Sequence, residues 1–185
     1  MTNRPSNRRD HDRAADVSLE AWLSRMGAGD ESALGEVYGL TRGAVFGYAL
    51  SLLKNAHDAE DVMQECYLKL CADPTAYRAQ GKPMAYLLRL VRNLCLDRLR
   101  SRQRWGEAPL PEEPLYPAAG LLPEDRLVVR SCLEGLGDRE QQVVLLHVLG
   151  GFRFREVASF TGEPLSTVLS RYRRAMKKLR VLLSE

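Results

Sequence analysis

Apolar positions recur along this chain at intervals of three and four, and nowhere with the strict alternation of a half-buried strand. The pattern predicts helices over about Leu19 to Ala28, Glu31 to Leu53, Ala56 to Ala72 and Met84 to Arg104, then Glu124 to Glu134, Asp138 to Leu149, Phe154 to Thr161 and Leu165 to Leu183. Asp138 with Gln141 three residues on reads as a capping-box-like start. Between the two groups, from Trp105 to Pro123, five prolines leave no helical pattern. The fold class is therefore all-α: two small helical domains joined by a Pro-rich acidic linker, the second containing a helix-turn-helix. The boundaries are a disordered tail at 1–17, a first domain at 18–104, a linker at 105–123 and a second domain at 124–185. Fully extended, the linker spans about 60 Å, more than one turn of duplex at about 34 Å.

The helix-turn-helix rests on local chemistry. Ala158, Gly162 and Val168 supply a small residue where two helices touch, a glycine able to take positive φ in the turn, and an apolar anchor on the second helix. Pro164 stands where a helix start tolerates it. The second helix puts Leu165, Val168, Tyr172, Ala175, Met176 and Leu179 on one stripe and most of its charge elsewhere. Ser166 to Arg180 holds six cations and no carboxylate, which suits a helix lying in the major groove, where Arg and Lys reach guanine edges and phosphates. A helical hairpin with a solvated basic face is the plainer alternative.

The net charge of +3 is small, but its distribution is uneven. Residues 17–78 carry five cations against nine acids, 79–104 seven cations against one acid, 105–123 three acids alone, and 124–185 eleven cations against eight acids. In the fourth helix Met84, Leu88, Val91, Cys95 and Leu99 form an apolar stripe, and Arg89, Asn93, Asp97, Arg100 and Arg104 the opposite face. That face is either solvated, laced by Asp97 and Arg100, or a second DNA-contacting surface.

Cys66, Cys71, Cys95 and Cys132 show no metal-like spacing and read as buried small hydrophobes in a reducing compartment. No apolar run reaches the roughly twenty residues that span a membrane, and the N-terminus lacks a signal peptide's apolar core. Gly35, Gly39, Gly43 and Gly47 mimic a membrane packing motif, but Glu36 and Arg42 interrupt it; the glycine edge is expected to admit a neighbouring helix closely. His11, His57 and His147 lie far apart, and no nucleophile motif or phosphate loop occurs, so no enzyme, metal or cofactor is expected.

Three stretches, AEDVMQECYLKL (59–70), MAYLLRLVRNLCLDRLRSRQR (84–104) and GLGDREQQVVLLHVLGGFRFREVASFTGEPLSTVLSRYRRAMKKLR (135–180), together resemble the extracytoplasmic-function group of bacterial sigma factors, over roughly Leu34 to Leu183. The resemblance implies a non-enzymatic, cytoplasmic protein that binds core RNA polymerase and directs it to promoter DNA, with an anti-sigma protein as a further possible partner and no membrane insertion. It implies that Asp61, Gln64 and Glu65 contact the polymerase clamp. Tyr77, Arg78, Gln80, Lys82, Arg89, Asn93 and Arg100 would recognise and open the minus-10 element, and Ser166, Thr167, Ser170, Arg171, Arg173, Arg174, Lys177 and Lys178 would dock on the minus-35 element. The chain departs from the family's pattern at Tyr86, Cys71, Thr161, Glu163 and Leu169, the last two on the upstream-reading element itself. A conventional operator-binding regulator is the competing reading; it has no use for the Asp61, Gln64, Glu65 surface and usually dimerises.

Overall fold

The computed structural model describes residues 18–79, 81–105 and 135–182. The tail, Gln80, the linker beyond Trp105, the helix expected at 124–134 and Cys132 lie outside the described residues. What is described is helical, with no strand among the described residues: α1 (18–27), α2 (Ala33–Leu53), α3 (Ala56–Ala72), α4 (Pro83–Trp105), α5 (Asp138–Val144), α6 (Phe154–Thr161) and α7 (Leu165–Leu182).

Local chemistry sets the helix ends. Lys54 closes α2 in the left-handed region, with φ 57° and its N–H donating to Leu50 O. Asn55 then starts α3, its side chain accepting from Asp58 N at 2.9 Å. The start of α5 lies one residue before the expected capping pair: Gly137 is the N-cap, and its N–H donates to Glu140 Oε2 at 3.1 Å. Gln141 instead donates to Leu136 O at 3.0 Å.

The expected helix to Leu149 is real, but its last stretch, Leu145–Leu149, widens into a π-helical turn in which Gly150 N donates to Leu145 O at 3.0 Å. Gly150 explains the tight exit: a Cβ there would lie 2.6 Å from Leu146 O and 2.9 Å from Leu88 Cδ1, so only glycine lets the chain pass.

Helices α2, α3 and α4 pack around Val37, Val45, Phe46, Val62, Cys66, Leu70, Leu87, Leu88, Val91 and Cys95, all essentially inaccessible. Burial pushes the thiols of Cys66 and Cys95 up to about 12, so neither is a nucleophile at neutral pH. Cys71 is exposed, contrary to expectation, because it follows the buried Leu70 and turns to the outer face of α3. The glycine edge of α2 also differs: Gly35 and Gly39 are exposed with nothing within 4 Å of a would-be Cβ, whereas Gly47 is buried. Among these glycines, burial is reached at Gly47, in the C-terminal half of α2.

The core continues past the linker. Val143, Leu145, Leu146, Phe152, Val157 and Val168 belong to the same buried cluster as Leu88 and Val91. A smaller cluster of Leu136, Val144 and Ala175, flanked by Tyr172, Met176 and Leu179, joins α5 to α7. The apolar stripe expected on α7 is thus the stripe the structure uses.

Candidate nucleic-acid and polymerase interfaces

The helix-turn-helix forms between α6 and α7. Gly162 takes φ 73° in the turn, Val168 is fully buried, and the N–H groups of Thr167 and Val168 donate to Pro164 O. Glu163, where an apolar residue is usual in the family pattern, is not free: it pairs with Arg171 on α7 and lies 3.9 Å from Arg139 on α5. Both members of the Glu163–Arg171 pair are about four-fifths buried, at 17% and 20% side-chain exposure. Arg171 is accordingly occupied inside the domain.

A second carboxylate works the same way one turn on. Glu140 accepts from Lys178 Nζ at 2.7 Å and lies 3.5 Å from Arg174 Nε. The Lys178 hydrogen bond holds its pKa below the usual glutamate value, against the opposing effect of burial. Arg174 and Lys178 keep 62% and 47% of their side-chain surface, so their heads are tethered at one edge while remaining open to a ligand.

Ser166, Ser170, Arg173 and Lys177 are exposed, and their spacing of four, three and four puts them on one face of α7. Thr167 is half-buried. His147, far from any other histidine in sequence, packs under this helix: its ring stacks on Phe154 with centroids 4.0 Å apart, meets Tyr172 edge-on at 5.0 Å, and its Nδ1–H donates to Phe152 O at 2.8 Å. It is a strut for the helix-turn-helix.

In the first half of the chain, the residues expected at the minus-10 element separate into two groups. Arg78, Arg89, Asn93 and Arg100 are exposed, with Arg100 3.2 Å from Asp97 as the charge lacing on α4 suggested. Tyr77 is not an open base-capturing ring: its hydroxyl donates to Glu20 Oε1 at 3.0 Å, and it packs on Tyr86 with centroids 5.2 Å apart. The same Glu20 oxygen accepts from Gly81 N at 2.9 Å, so one carboxylate of α1 fixes the loop entering α4. Lys82 is ion-paired with Glu156 of α6, and the Arg89 guanidinium lies 5.8 Å from the Phe152 ring. Gln80 lies outside the described residues.

On α3, Gln64 and Glu65 are exposed and Glu65 lies 3.7 Å from Lys69. Asp61 is half-covered and committed to the fold, accepting from Arg98 at 2.6 Å with His57 3.4 Å away. Asp58, 4% exposed at its side chain, is clamped between Arg98 at 2.9 Å and Arg102. Burial works against the Arg98 cation, but its bonds to Asp61 and Asp58 outweigh that and raise its pKa. His57, Asp58 and Asp61 bring three ligand atoms together, yet two arginines already neutralise the carboxylates, which leaves little to attract a cation. Sequence reasoning missed Leu68, which is 68% exposed one turn from Gln64 and Glu65. The signal was present: Leu68 falls off the stripe of Val62, Cys66 and Leu70.

No helix among the described residues is long and apolar enough to cross a membrane. Two family models match the chain: Sigma-70 region 2 over residues 37–105 and Sigma-70, region 4 over residues 126–179. Its curated relatives include the ECF RNA polymerase sigma factor SigK of Mycobacterium tuberculosis and of Mycobacterium bovis, each 30% identical over 171 residues, covering 88% of this chain and 91% of the relative. The SigK of Mycobacterium ulcerans matches to the same extent. Among solved structures, the sigma factor RpoE in complex with the anti-sigma factor NepR from Bartonella quintana superposes with a TM-score of 0.56 at 22% identity, covering 81% of this chain and 96% of that one. CnrH in complex with the cytosolic domain of CnrY gives 0.53 at 21% identity, covering 90% and 97%. Both share the fold.

Proposed function

Because the chain belongs to the extracytoplasmic-function family of RNA polymerase sigma factors, it acts through core polymerase in promoter-directed initiation, and we propose how its residues divide that work. It carries out no catalysis of its own and works in the cytoplasm.

Docking on polymerase falls to the outer face of α3. Gln64 and Glu65 offer a polar edge and Leu68 an apolar centre, a combination typical of a protein interface whose fully buried core is apolar and whose rim is polar. Asp61 contributes from behind, by holding Arg98 and so the angle between α3 and α4. Upstream promoter recognition falls to Ser166, Ser170 and Arg173, which enter the groove; Lys177, Arg174 and Lys178 lie beside them for phosphate contact, the last two held by Glu140. Thr167 supports the helix start. Arg171 braces the turn through Glu163 and is removed from the set of base-reading residues.

Downstream, Arg78, Asn93, Arg100, Lys82 and Arg89 form the basic face that meets the minus-10 element, with Tyr77 shaping the loop from inside. One structural neighbour, the sigma factor RpoE, is in complex with the anti-sigma factor NepR, and a protein of that class is a fitting third partner here.

The observation that carries this reading is the exposure of α3's Gln64, Glu65 and Leu68 and of α7's reading face, on two helices from different halves of the chain, which leaves polymerase and DNA different residues to hold. Co-purification with core polymerase tests it. Glu65→Lys with Leu68→Asp should lose binding while the chain melts as the parent does; retained binding sinks the α3 assignment. Selective, tight binding of the isolated chain to a palindromic duplex as a dimer would instead favour an operator-binding regulator.

A further inference from the structure

A single carboxylate oxygen holds the loop between α3 and α4 at two points. Glu20 Oε1 accepts from the Tyr77 hydroxyl at 3.0 Å and from Gly81 N–H at 2.9 Å, one on each side of Arg78. Gly81 has φ 69°, and nothing lies within 4 Å of a would-be Cβ. The glycine therefore serves the left-handed backbone that aims its N–H at Glu20, not a tight fit. Tyr77 is held a second time by its ring, which packs on Tyr86 of α4 with centroids 5.2 Å apart. At the start of the loop Thr75 Oγ1 donates to Asp73 Oδ1 at 2.8 Å, and Gly27, at the end of α1, comes so near that a Cβ there would lie 3.2 Å from Pro74 O. Helix α1 thus meets the loop at Pro74, Tyr77 and Gly81, while Arg78 and Ala79 are exposed.

We propose that Glu20 is a positioning residue for promoter opening: without touching DNA, it holds this loop in the shape that meets the unpaired minus-10 strand. The proposal rests on the assignment of the loop to the minus-10 element. A half-buried carboxylate beneath a promoter-facing surface works against affinity, since it repels the phosphates that Arg78 attracts. Its two donors account for its place there, because hydrogen bonds to an ionised acceptor are the strong ones.

A loop fixed before it meets its partner has less ordering left to do at the moment of binding. For a loop that receives bases as they leave the stack, this saving falls on the opening step, because the bases reach it only once the strands part. First encounter with duplex depends on exposed cations and the salt-screened attraction of phosphates, which Glu20 does not supply. The effect of Glu20 is therefore on opening more than on initial binding.

The test uses the full chain reconstituted with core polymerase, on a duplex promoter selected from a random library by transcription with the parent holoenzyme. Permanganate reactivity of unpaired thymines reads the rate of opening. Glu20→Ala should slow it by about tenfold, the scale of losing hydrogen bonds to a charged group. Glu20→Gln, whose amide oxygen can accept from both donors, should open within about threefold of the parent. Tyr77→Phe keeps the ring on Tyr86 and loses one bond, so it should slow opening by itself and add nothing to Glu20→Ala. On the same template with a mismatched, already open minus-10 region and saturating holoenzyme, Glu20→Ala should transcribe as the parent does, a recovery that a generally damaged chain would not show. Parent-rate opening of the duplex by Glu20→Ala would overturn the proposal. So would Glu20→Gln as slow as Glu20→Ala, an additive effect of Tyr77→Phe, or an equal loss on duplex and open templates. Arg78→Ala reads the loop assignment separately. Slow opening by Arg78→Ala beside parent-rate opening by Glu20→Ala would keep the loop on the promoter and remove Glu20 from its positioning, whereas parent-rate opening by both would remove the loop from the minus-10 element as well.

Discussion

Arg171 is bound to Glu163 across the turn of the helix-turn-helix, a cation of the recognition helix spent on the protein's own fold. The consequence is a three-way division along α7. Arg171 braces, Arg174 and Lys178 are tethered by Glu140, and Arg173 with Lys177 faces outward unencumbered by either carboxylate. Arg173→Ala should flatten discrimination among upstream elements in transcription by the reconstituted holoenzyme, a loss of about 1–3 kcal/mol at the base it reads. Lys177→Ala should lower output on all promoters alike and reduce the salt slope of binding by about one. Arg171→Ala should instead lower the melting temperature and leave the promoter ranking intact. A flattened ranking in the Arg171 variant, with Arg173→Ala neutral, reverses the assignment.

Much of this was legible in the sequence for a plain reason: helical periodicity reports which face of a helix is apolar, and the faces of α4 and α7 were read as the structure has them, Val91 and Cys95 on one, Val168 and Ala175 on the other. Periodicity does not report what a polar residue meets. Arg171 falls off the apolar stripe and so reads as a DNA contact, yet Glu163, eight residues away across the turn, captures it. Lys82 and Glu156 stand 74 residues apart, and no local pattern reveals such a pair. The resemblance puts Tyr77 among the residues that open the minus-10 element, whereas Glu20 of α1, 57 residues away, draws its hydroxyl inward. The π-helical turn at Leu145–Leu149 has no local signature either; it ends at Gly150, where a Cβ would lie 2.9 Å from Leu88 Cδ1, more than 60 residues away in sequence.

The clamp on Asp58 makes a stability prediction. This carboxylate is 4% exposed at its side chain and touches two arginines, themselves 31% and 19% exposed, that converge from α4. Removing one member of a buried ion network leaves the others without partners, which typically costs about 3–5 kcal/mol. Asp58→Ala should destabilise the chain by that order in chemical denaturation. Adding Arg98→Met and Arg102→Met to it should recover a large part of the loss, because the orphaned cations are then gone. A single variant within about 0.5 kcal/mol of the parent would show the clamp to be solvated and weak.

Acid should act on the second half of the chain through Glu140. Its folded-state pKa lies below the ordinary glutamate value of 4.5, chiefly because Lys178 hydrogen-bonds it, with the Gly137 N–H adding to the effect. For a carboxylate whose pKa is depressed by folding, the stabilisation is fully present above the unfolded value and is lost as pH falls through the folded one. The junction of α5 and α7 should therefore hold its full strength at neutral pH and weaken only below about 4.5, as Glu140 takes up a proton and releases Lys178 and Arg174. Glu140→Gln can still accept from Gly137 N–H through its amide oxygen but carries no charge, so it keeps the helix start and removes the titration. Melting curves across this range should be steeper in pH for the parent than for Glu140→Gln, and the two should converge at the acid end, where the parent's own carboxyl is neutral. Parallel pH profiles would assign the acid sensitivity to other carboxylates. At neutral pH the same variant frees Arg174 and Lys178 from their tether, so promoter binding by its holoenzyme should weaken most at high salt, where loosely held cations are screened.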